Sequence, residues 1–228
     1  MTPPTLLVDL DGTLTDPADG ILGGFEFALR KLGAPVPSRD NLGWVIGPPL
    51  RKAFPQLLPD PSMARIEAAV QAYREYYGSR GIFEARVYDG IPELLAVFLN
   101  SGHRLMLCTA KPAAFATKVV EHFDLARYFD RIYGPDLEGR LDDKGDLIAH
   151  MIDVEQLDHR HMLMIGDRGS DASAARRNGL PCIGVTWGYG SHDELHGAGA
   201  APLCTTPGQL RQAIEAWTPS WCRSGGTK

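Results

Sequence analysis

Short apolar runs, each followed by a polar turn and then by a segment with helical spacing, recur along most of the chain. Four runs predict buried parallel strands, at residues 6–10, 104–108, 161–165 and 182–185. Helical spacing predicts helices between and after them, at residues 92–101, 113–122, 144–152, 170–178 and 207–217. Strands that alternate with helices are typical of an open parallel sheet, so the pattern predicts the α/β class.

Residues 16–88 interrupt this alternation. Helical patterns at 20–32 and 63–81 are separated by proline-rich turns, and no strand pattern lies between them. We therefore expect a mostly helical insertion at 16–88, within an α/β core that comprises residues 1–15 and 89–219. Residues 220–228, which include the sequence SGGTK, predict a flexible tail.

Composition and charge narrow the class of protein. The 228 residues are 44% hydrophobic and 22% charged, with a formal net charge of −5, so no basic surface predicts a nucleic acid polymer or an anionic membrane as partner. No apolar run reaches the roughly 18 residues of a membrane span, and the N-terminus does not match a signal peptide. The four cysteines lack metal-site spacing and predict free thiols. We expect a cytoplasmic protein, and the sequence leaves monomer and homodimer open.

Two acids follow the first predicted strand, in Asp9-Leu10-Asp11-Gly12-Thr13. Ligands bind outside the carboxyl ends of the strands in open α/β sheets, so chemistry is expected there. Residues two apart in extended backbone point to the same side, so the two carboxylates converge and repel each other unless a cation intervenes. An Asp-Gly pair alone is typical of a turn, but an apolar strand that runs directly into DxDGT favours a functional site.

The third predicted strand also ends in acids, in the sequence GDRGSD at 166–171. Alone, Asp167 suits an Asx turn and Asp171 suits the first turn of a helix. Together with Asp9 they would bring three carboxylates to one edge of the sheet, which is unfavourable without a metal. Oxygen ligands with room for water and phosphate suit Mg²⁺, and neither acidic segment has the spacing of a calcium loop.

A hydroxyl at the end of the second predicted strand is a candidate partner for a phosphate. Thr109 ends the second predicted strand, just before a helix whose N-terminal amides suit an anion, although an N-cap is the alternative. Lys144 lies near the start of another predicted helix, and its position alone does not separate it from a solvated surface lysine.

In this order the segments resemble the haloacid dehalogenase superfamily over nearly the whole chain. DLDGT at 9–13, Thr109, Lys144 and GDRxxD at 166–171 match its four motifs. The resemblance implies a Rossmann-like parallel-sheet core with an inserted helical cap domain. Dehalogenase members lack the second aspartate of the first motif, so Asp11 favours phosphoryl chemistry over carbon–halogen cleavage.

The resemblance also implies roles at the acidic centre. Asp9 is the nucleophile and forms an aspartyl-phosphate. Asp11 acts first as a general acid and then as a general base. Asp9, the backbone carbonyl of Asp11 and Asp167 hold Mg²⁺, with Asp171 in support.

The remaining implied roles concern the phosphate. Thr109 and Lys144 bind its oxygens, and Lys144 also restrains Asp9. The backbone of Leu10 and of Ala110 donates further hydrogen bonds to it.

Within the superfamily, the closest resemblance is to phosphoglycolate phosphatase-like members. It lies in IGPPL at 46–50, TAKP at 109–112 and GYG at 188–190. The implied function is a phosphatase of a small phosphomonoester, in which Arg51 either meets an anionic group of the substrate or is a solvated helix residue.

Several alternatives stay open at this point. A 5′-nucleotidase or a phosphotyrosine phosphatase would share the mechanism and differ in substrate. A phosphomutase related to β-phosphoglucomutase and a non-catalytic binding module are further alternatives, although a binder has no need of Asp11 as a proton carrier.

Overall fold

The structure is a computed structural model that describes residues 3–217. Its strands in chain order are β1 (Thr5–Val8), β2 (Thr15–Asp16), β3 (Arg86–Val87), β4 (Leu105–Cys108), β5 (Arg131–Tyr133), β6 (Met162–Gly166), β7 (Cys182–Val185) and β8 (Leu203–Cys204). Its helices are α1 (Ala18–Lys31), α2 (Leu50–Leu57), α3 (Met63–Ser79), α4 (Ile91–Asn100), α5 (Ala113–His122), α6 (Lys144–Val154), α7 (Gly169–Arg177), α8 (His192–Ala198) and α9 (Pro207–Glu215).

The main sheet is parallel and has the order β5-β4-β1-β6-β7-β8. Within β1, Leu6 and Val8 point into one hydrophobic core while Leu7 points into another on the opposite face. Because the central strands are covered on both faces, they read as continuous apolar runs in the sequence. The carboxyl ends of β4, β1 and β6 are neighbours, which brings the three predicted polar strand ends together.

The predicted α/β class and parallel sheet are confirmed, and each of the four predicted strands corresponds to a strand of this sheet. Two strands of this sheet, β5 and β8, escaped prediction, as did the short strands β2 and β3 of the second sheet. Strand β5 is an edge strand with partly exposed residues, and β8 has only two residues, so neither produces a buried apolar run. Helices α2 and α8 also escaped prediction, since α2 contains Pro55 and α8 is only seven residues long.

The chain between β1 and β4 contains the helical insertion with α1, α2 and α3, and its boundaries of 16–88 stay a prediction. Helix α1 packs on α3, and α2 also packs on α3. Phe25 and Phe54 meet in the centre, with ring centroids 4.8 Å apart and no exposed surface. The short antiparallel strands β2 and β3 pair where the chain leaves the sheet and returns to it.

The predictions for the cysteines and for membrane spans extend beyond the residues that the structure describes. Cys108, Cys182 and Cys204 are buried free thiols, whereas Cys222 and the predicted tail at 220–228 lie outside the described residues. Among residues 3–217, no helix combines the length and the apolar character that crossing a membrane requires.

Candidate active site

The turn after β1 holds Asp9 and Asp11 at the carboxyl end of a central strand. The carbonyl of Leu10 accepts backbone N–H groups from Leu14 at 2.8 Å and from Thr15 at 3.1 Å, so the chain folds back tightly. Gly12 has φ +85°, and a side chain at this position would meet the carboxylate of Asp167. Asp9 and Asp11 are consequently buried, with 4% and 8% of their surface exposed.

Lys144 reaches this turn from the start of α6. Asp143 caps the helix by accepting N–H groups of the first turn, which fixes the backbone beside Lys144. The Lys144 Nζ atom lies 3.0 Å from Oδ1 of Asp9 and donates a hydrogen bond to Asp171. Burial lowers the pKa of Lys144, but the carboxylates of Asp171 and Asp9 outweigh it and raise that pKa overall. The alternative of a solvated surface lysine is therefore wrong.

The loop after β6 places two more acids beside Asp9. Asp167 accepts hydrogen bonds from the Thr13 hydroxyl at 3.2 Å and from the backbone N–H of Tyr189 at 2.8 Å. Asp171 accepts from the backbone N–H of Arg168 at 3.0 Å, in addition to the bond from Lys144. Burial, with the nearby carboxylates of Asp9 and Asp171, raises the pKa of Asp167 to about 8.

The acidic centre fits a divalent cation. Asp9, Asp167 and Asp171 each offer a carboxylate oxygen, and these three oxygens lie within 4.8 Å of one another. Asp9 Oδ1 is buried and makes no hydrogen bond of good geometry, although Lys144 is close. One lysine against three buried carboxylates leaves negative charge uncompensated, and an all-oxygen set suits Mg²⁺. The Asp11 side chain is not part of this group, whereas Asp171 is.

Asp11 has a different environment, which it shares with Lys111. Its Oδ2 lies 2.7 Å from the Lys111 Nζ atom, whereas its Oδ1 is buried without a hydrogen-bond partner. Burial raises the pKa of Asp11, and the Lys111 ammonium group reduces that rise. The place of Lys111 beside Asp11 escaped prediction, although its position two residues after Thr109 in TAKP was a signal for it.

Thr109 is buried at the carboxyl end of β4, next to the same centre. Its hydroxyl accepts the backbone N–H of Lys111 at 3.2 Å, and helix α5 begins only at Ala113. The alternative that Thr109 caps this helix is therefore wrong. Its neighbour Ala110 lines two surface clefts, and the turn at 47–49 lines both of them as well.

A cleft between the sheet and the helical insertion leads to Asp11. Its walls are largely apolar and include aromatic side chains, with a few charged residues: Ile21, Val45, Tyr73, Tyr77, Phe115, Lys111, Arg51, Arg74 and Asp142. Arg51 makes a two-point ion pair with Glu67, at 2.6 and 3.0 Å, and lies 3.9 Å from Asp142. Arg51 thus lines the cleft with its charge already paired, which excludes the alternative of a simply solvated residue.

The segment between β6 and α7, at residues 167–168, carries Asp167 of the candidate metal site, and we call it the metal-site loop. Arg168 joins this loop to the helical insertion. Its guanidinium donates to the backbone carbonyl of Ile46 at 2.6 Å and to Glu194 at 3.0 Å. Glu194 also accepts the backbone N–H of Gly169 at 2.7 Å. The turn at 47–49 follows Ile46 directly, so Arg168 fixes one end of a wall of the cleft.

Comparison with known proteins identifies relatives over nearly the whole chain. A family model described as haloacid dehalogenase-like hydrolase matches residues 6–185. A 5′-nucleotidase of Pseudomonas aeruginosa is 45% identical over 213 residues, which is 93% of this chain and 96% of the relative. A phosphoglycolate phosphatase of Thiobacillus denitrificans is 30% identical over 81% of this chain and 83% of the relative. The crystal structure of a predicted phosphatase from Clostridium acetobutylicum superposes with a TM-score of 0.91 at 37% identity, over 95% of this chain and 100% of that one.

Proposed function

The chain belongs to the haloacid dehalogenase-like hydrolase family, and from this premise we propose that it is a Mg²⁺-dependent phosphatase that acts through an aspartyl-phosphate on Asp9. The observation that carries the proposal is the contact between Lys144 and Asp9, at 3.0 Å, beside two further acids. Asp9 is then a nucleophile beside a buried ammonium group, whose positive charge stabilises a phosphate dianion at the same place.

The reaction has two steps. In the first, an Asp9 oxygen attacks phosphorus, the bond from phosphorus to the ester oxygen breaks, and Asp11 gives its proton to the departing alkoxide. In the second, a water oxygen attacks phosphorus, the bond to Asp9 breaks, and Asp11 takes a proton from the water. The products are an alcohol and inorganic phosphate. The unpartnered Oδ1 of Asp11 is the atom we assign to both proton transfers.

The remaining residues hold and neutralise the phosphate. Lys144 and the Thr109 hydroxyl contact its oxygens, and backbone N–H groups of Leu10 and Ala110 donate to it. Asp9, the carbonyl of Asp11 and Asp167 hold Mg²⁺, and the grouping of oxygens supports a direct or an indirect contribution from Asp171. Bound Mg²⁺ supplies positive charge that offsets the repulsion between nucleophile and phosphate.

Two observations favour a nucleoside 5′-monophosphate as the ester. The cleft beside Asp11 has largely apolar walls that include the partly buried ring of Phe115, and such walls suit a flat base better than the short, charged phosphoglycolate. The relative that is 45% identical over nearly its whole length is a 5′-nucleotidase. The phosphoglycolate-like ester inferred from the sequence stays a prediction, and it retains the support of the 30% identical relative.

Phosphate release from a panel of esters tests the proposal. We would assay nucleoside 5′-monophosphates, 2-phosphoglycolate and phosphotyrosine, with Mg²⁺ and with a chelator, for the wild type and for Asp9→Asn. Metal-dependent release that the substitution abolishes is the expected result, with the nucleotides ahead. Full activity of Asp9→Asn would exclude the covalent mechanism. A requirement for a sugar bisphosphate would indicate a phosphomutase, and no turnover of any ester would favour a binding module.

A further inference from the structure

The Lys111 side chain lies between Asp11 on the sheet and Tyr77 on helix α3 of the insertion. Its Nζ atom is 2.7 Å from Oδ2 of Asp11 and donates a hydrogen bond to the Tyr77 hydroxyl. The same ammonium group lies 4.7 Å from the centroid of the Tyr77 ring, within the range of a cation–π contact. Lys111, Asp11 and Tyr77 are 7%, 8% and 3% exposed. A buried lysine thus connects the two parts of the molecule.

The two lysines of the site contact different carboxylates. Lys144 contacts Asp9 and Asp171, whereas Lys111 contacts Asp11. The contact with Lys111 engages only one oxygen of Asp11, and the other oxygen has no partner. Such a one-sided contact fixes the direction of a carboxylate and leaves its second oxygen available to the reacting atoms.

Tyr77 is itself held firmly on the insertion. Its ring stacks on Tyr73 at 5.3 Å between centroids and makes a T-shaped contact with Phe115 at 5.7 Å. The hydroxyl therefore cannot follow Lys111 unless α3 moves with it. If α3 shifts away from the sheet, Lys111 loses this partner and its long side chain regains rotational freedom.

We propose that Lys111 is a positioning residue that holds the Asp11 carboxylate for proton transfer, and that Tyr77 makes this hold depend on the position of helix α3. The inference rests on the proposed function, because it assigns Lys111 a task within the phosphatase reaction. Proton transfer to the leaving group is then efficient only while the insertion rests against the sheet. In an opened cleft, Asp11 loses its fixed direction and transfer slows.

The test compares two esters that differ in their need for a proton. The phenolate that leaves p-nitrophenyl phosphate is stable without protonation, whereas the alkoxide that leaves a nucleoside 5′-monophosphate is not. General acid catalysis contributes about 10²–10⁴-fold, so in single turnovers Lys111→Met should slow phosphorylation by the nucleotide about 100-fold. We expect the p-nitrophenol burst to slow by less than about fivefold, because that step does not use the acid.

A pair of tyrosine variants tests the connection to the insertion. Tyr77→Phe keeps the ring and removes the hydroxyl, and it should slow the nucleotide reaction about tenfold, the equivalent of one hydrogen bond. Tyr76→Phe is the matched control, since Tyr76 lies on the same helix outside the cleft and its hydroxyl donates to Glu84 of the insertion at 2.7 Å. The double variant Lys111→Met/Tyr77→Phe should be no slower than Lys111→Met alone.

Each other outcome overturns a defined part of the inference. Equal losses with both esters, or a rise in KM alone, would make Lys111 an ordinary binding residue. Additive effects in the double variant would show that Tyr77 does not act through Lys111. If Lys111→Met does not fold, equal rates for Tyr77→Phe and Tyr76→Phe overturn the connection. Hydrolysis of neither ester by the wild type would refute the proposed function as well, whereas Asp9-dependent hydrolysis with uniform losses would refute the inference alone.

Discussion

The ammonium group of Lys144 lies 3.0 Å from the carboxylate of Asp9, although Asp9 follows strand β1 and Lys144 begins helix α6, far away in the sequence. Both side chains are nearly inaccessible to solvent, with 7% and 5% exposed. Removing either partner of such a buried pair is strongly destabilising, because it leaves the other charge buried and uncompensated.

Replacing Lys144 is expected to affect both catalysis and stability. Lys144→Met removes the charge that faces the phosphate, so kcat should fall by roughly 10²–10³-fold. The metal-free protein should also lose about 3 kcal/mol of unfolding free energy, measured by chemical denaturation in a chelator. Lys118→Met is the control, since Lys118 is exposed on α5. Activity of Lys144→Met within about threefold of the wild type would contradict the role assigned to Lys144.

Replacing Asp167 should have opposite effects on function and on the stability of the metal-free protein. Asp167 is fully buried beside Asp9 and Asp171, so its charge is repelled and poorly solvated without a metal. Asp167→Asn should therefore raise the melting temperature in a chelator while abolishing phosphate release. Mg²⁺ should stabilise the wild type by about 2.7 kcal/mol at 100 times its Kd and leave the variant unchanged.

Thermal unfolding across a Mg²⁺ titration checks this expectation. Asp158→Asn is a suitable control, because Asp158 lies at the surface in an ion pair with Arg160. An equal response of Asp167→Asn and the wild type to Mg²⁺ would place the metal elsewhere.

The acidic centre could be predicted from the sequence because its geometry follows from topology. Asp9 and Asp167 each follow an apolar strand, and the ends of adjacent parallel strands must meet. Strand β7 and helix α5 likewise match their predicted bounds, because a bounded apolar run and a regular helical spacing encode them locally.

The link from Lys111 to Tyr77 could not be predicted in the same way. These residues are 34 positions apart and meet because Tyr77 of α3 lies beside the segment that follows β4. No local pattern carries that information. Nor did the sequence pattern show that Arg51 would be paired with Glu67, since the pair depends on how α2 and α3 pack together.

The contact from Arg168 to Ile46 leads to a prediction about substrate binding. Without the guanidinium, the turn at 47–49 loses its anchor to the metal-site loop. Arg168→Ala should therefore raise KM about tenfold, the equivalent of one charged hydrogen bond, with a smaller change in kcat. Steady-state kinetics with the preferred ester measures this, with Arg176→Ala as the control on the exposed side of α7. A fall in kcat at constant KM would mean that Arg168 serves the chemistry instead of the turn.

The choice between a nucleotide and phosphoglycolate should depend on Phe115. Its ring lines the cleft in a T-shaped contact with Tyr77, where a base would meet an aromatic wall. Stacking of a base on an aromatic ring contributes about 1–3 kcal/mol, so Phe115→Leu should lower kcat/KM for a nucleoside 5′-monophosphate about tenfold. Leucine keeps most of the apolar area, and phosphoglycolate has no ring, so its kcat/KM should change little.

The ratio of the two kcat/KM values is the informative quantity for Phe115. A disturbance of Tyr77 or of Lys111 would slow both esters, because each releases an alkoxide, and it would cancel in that ratio. An unchanged ratio therefore means that Phe115 does not contact a base, even if both rates fall. If Phe115→Leu lowers kcat/KM for the nucleotide and leaves kcat/KM for phosphoglycolate unaltered, the aromatic wall between the insertion and the sheet selects the substrate.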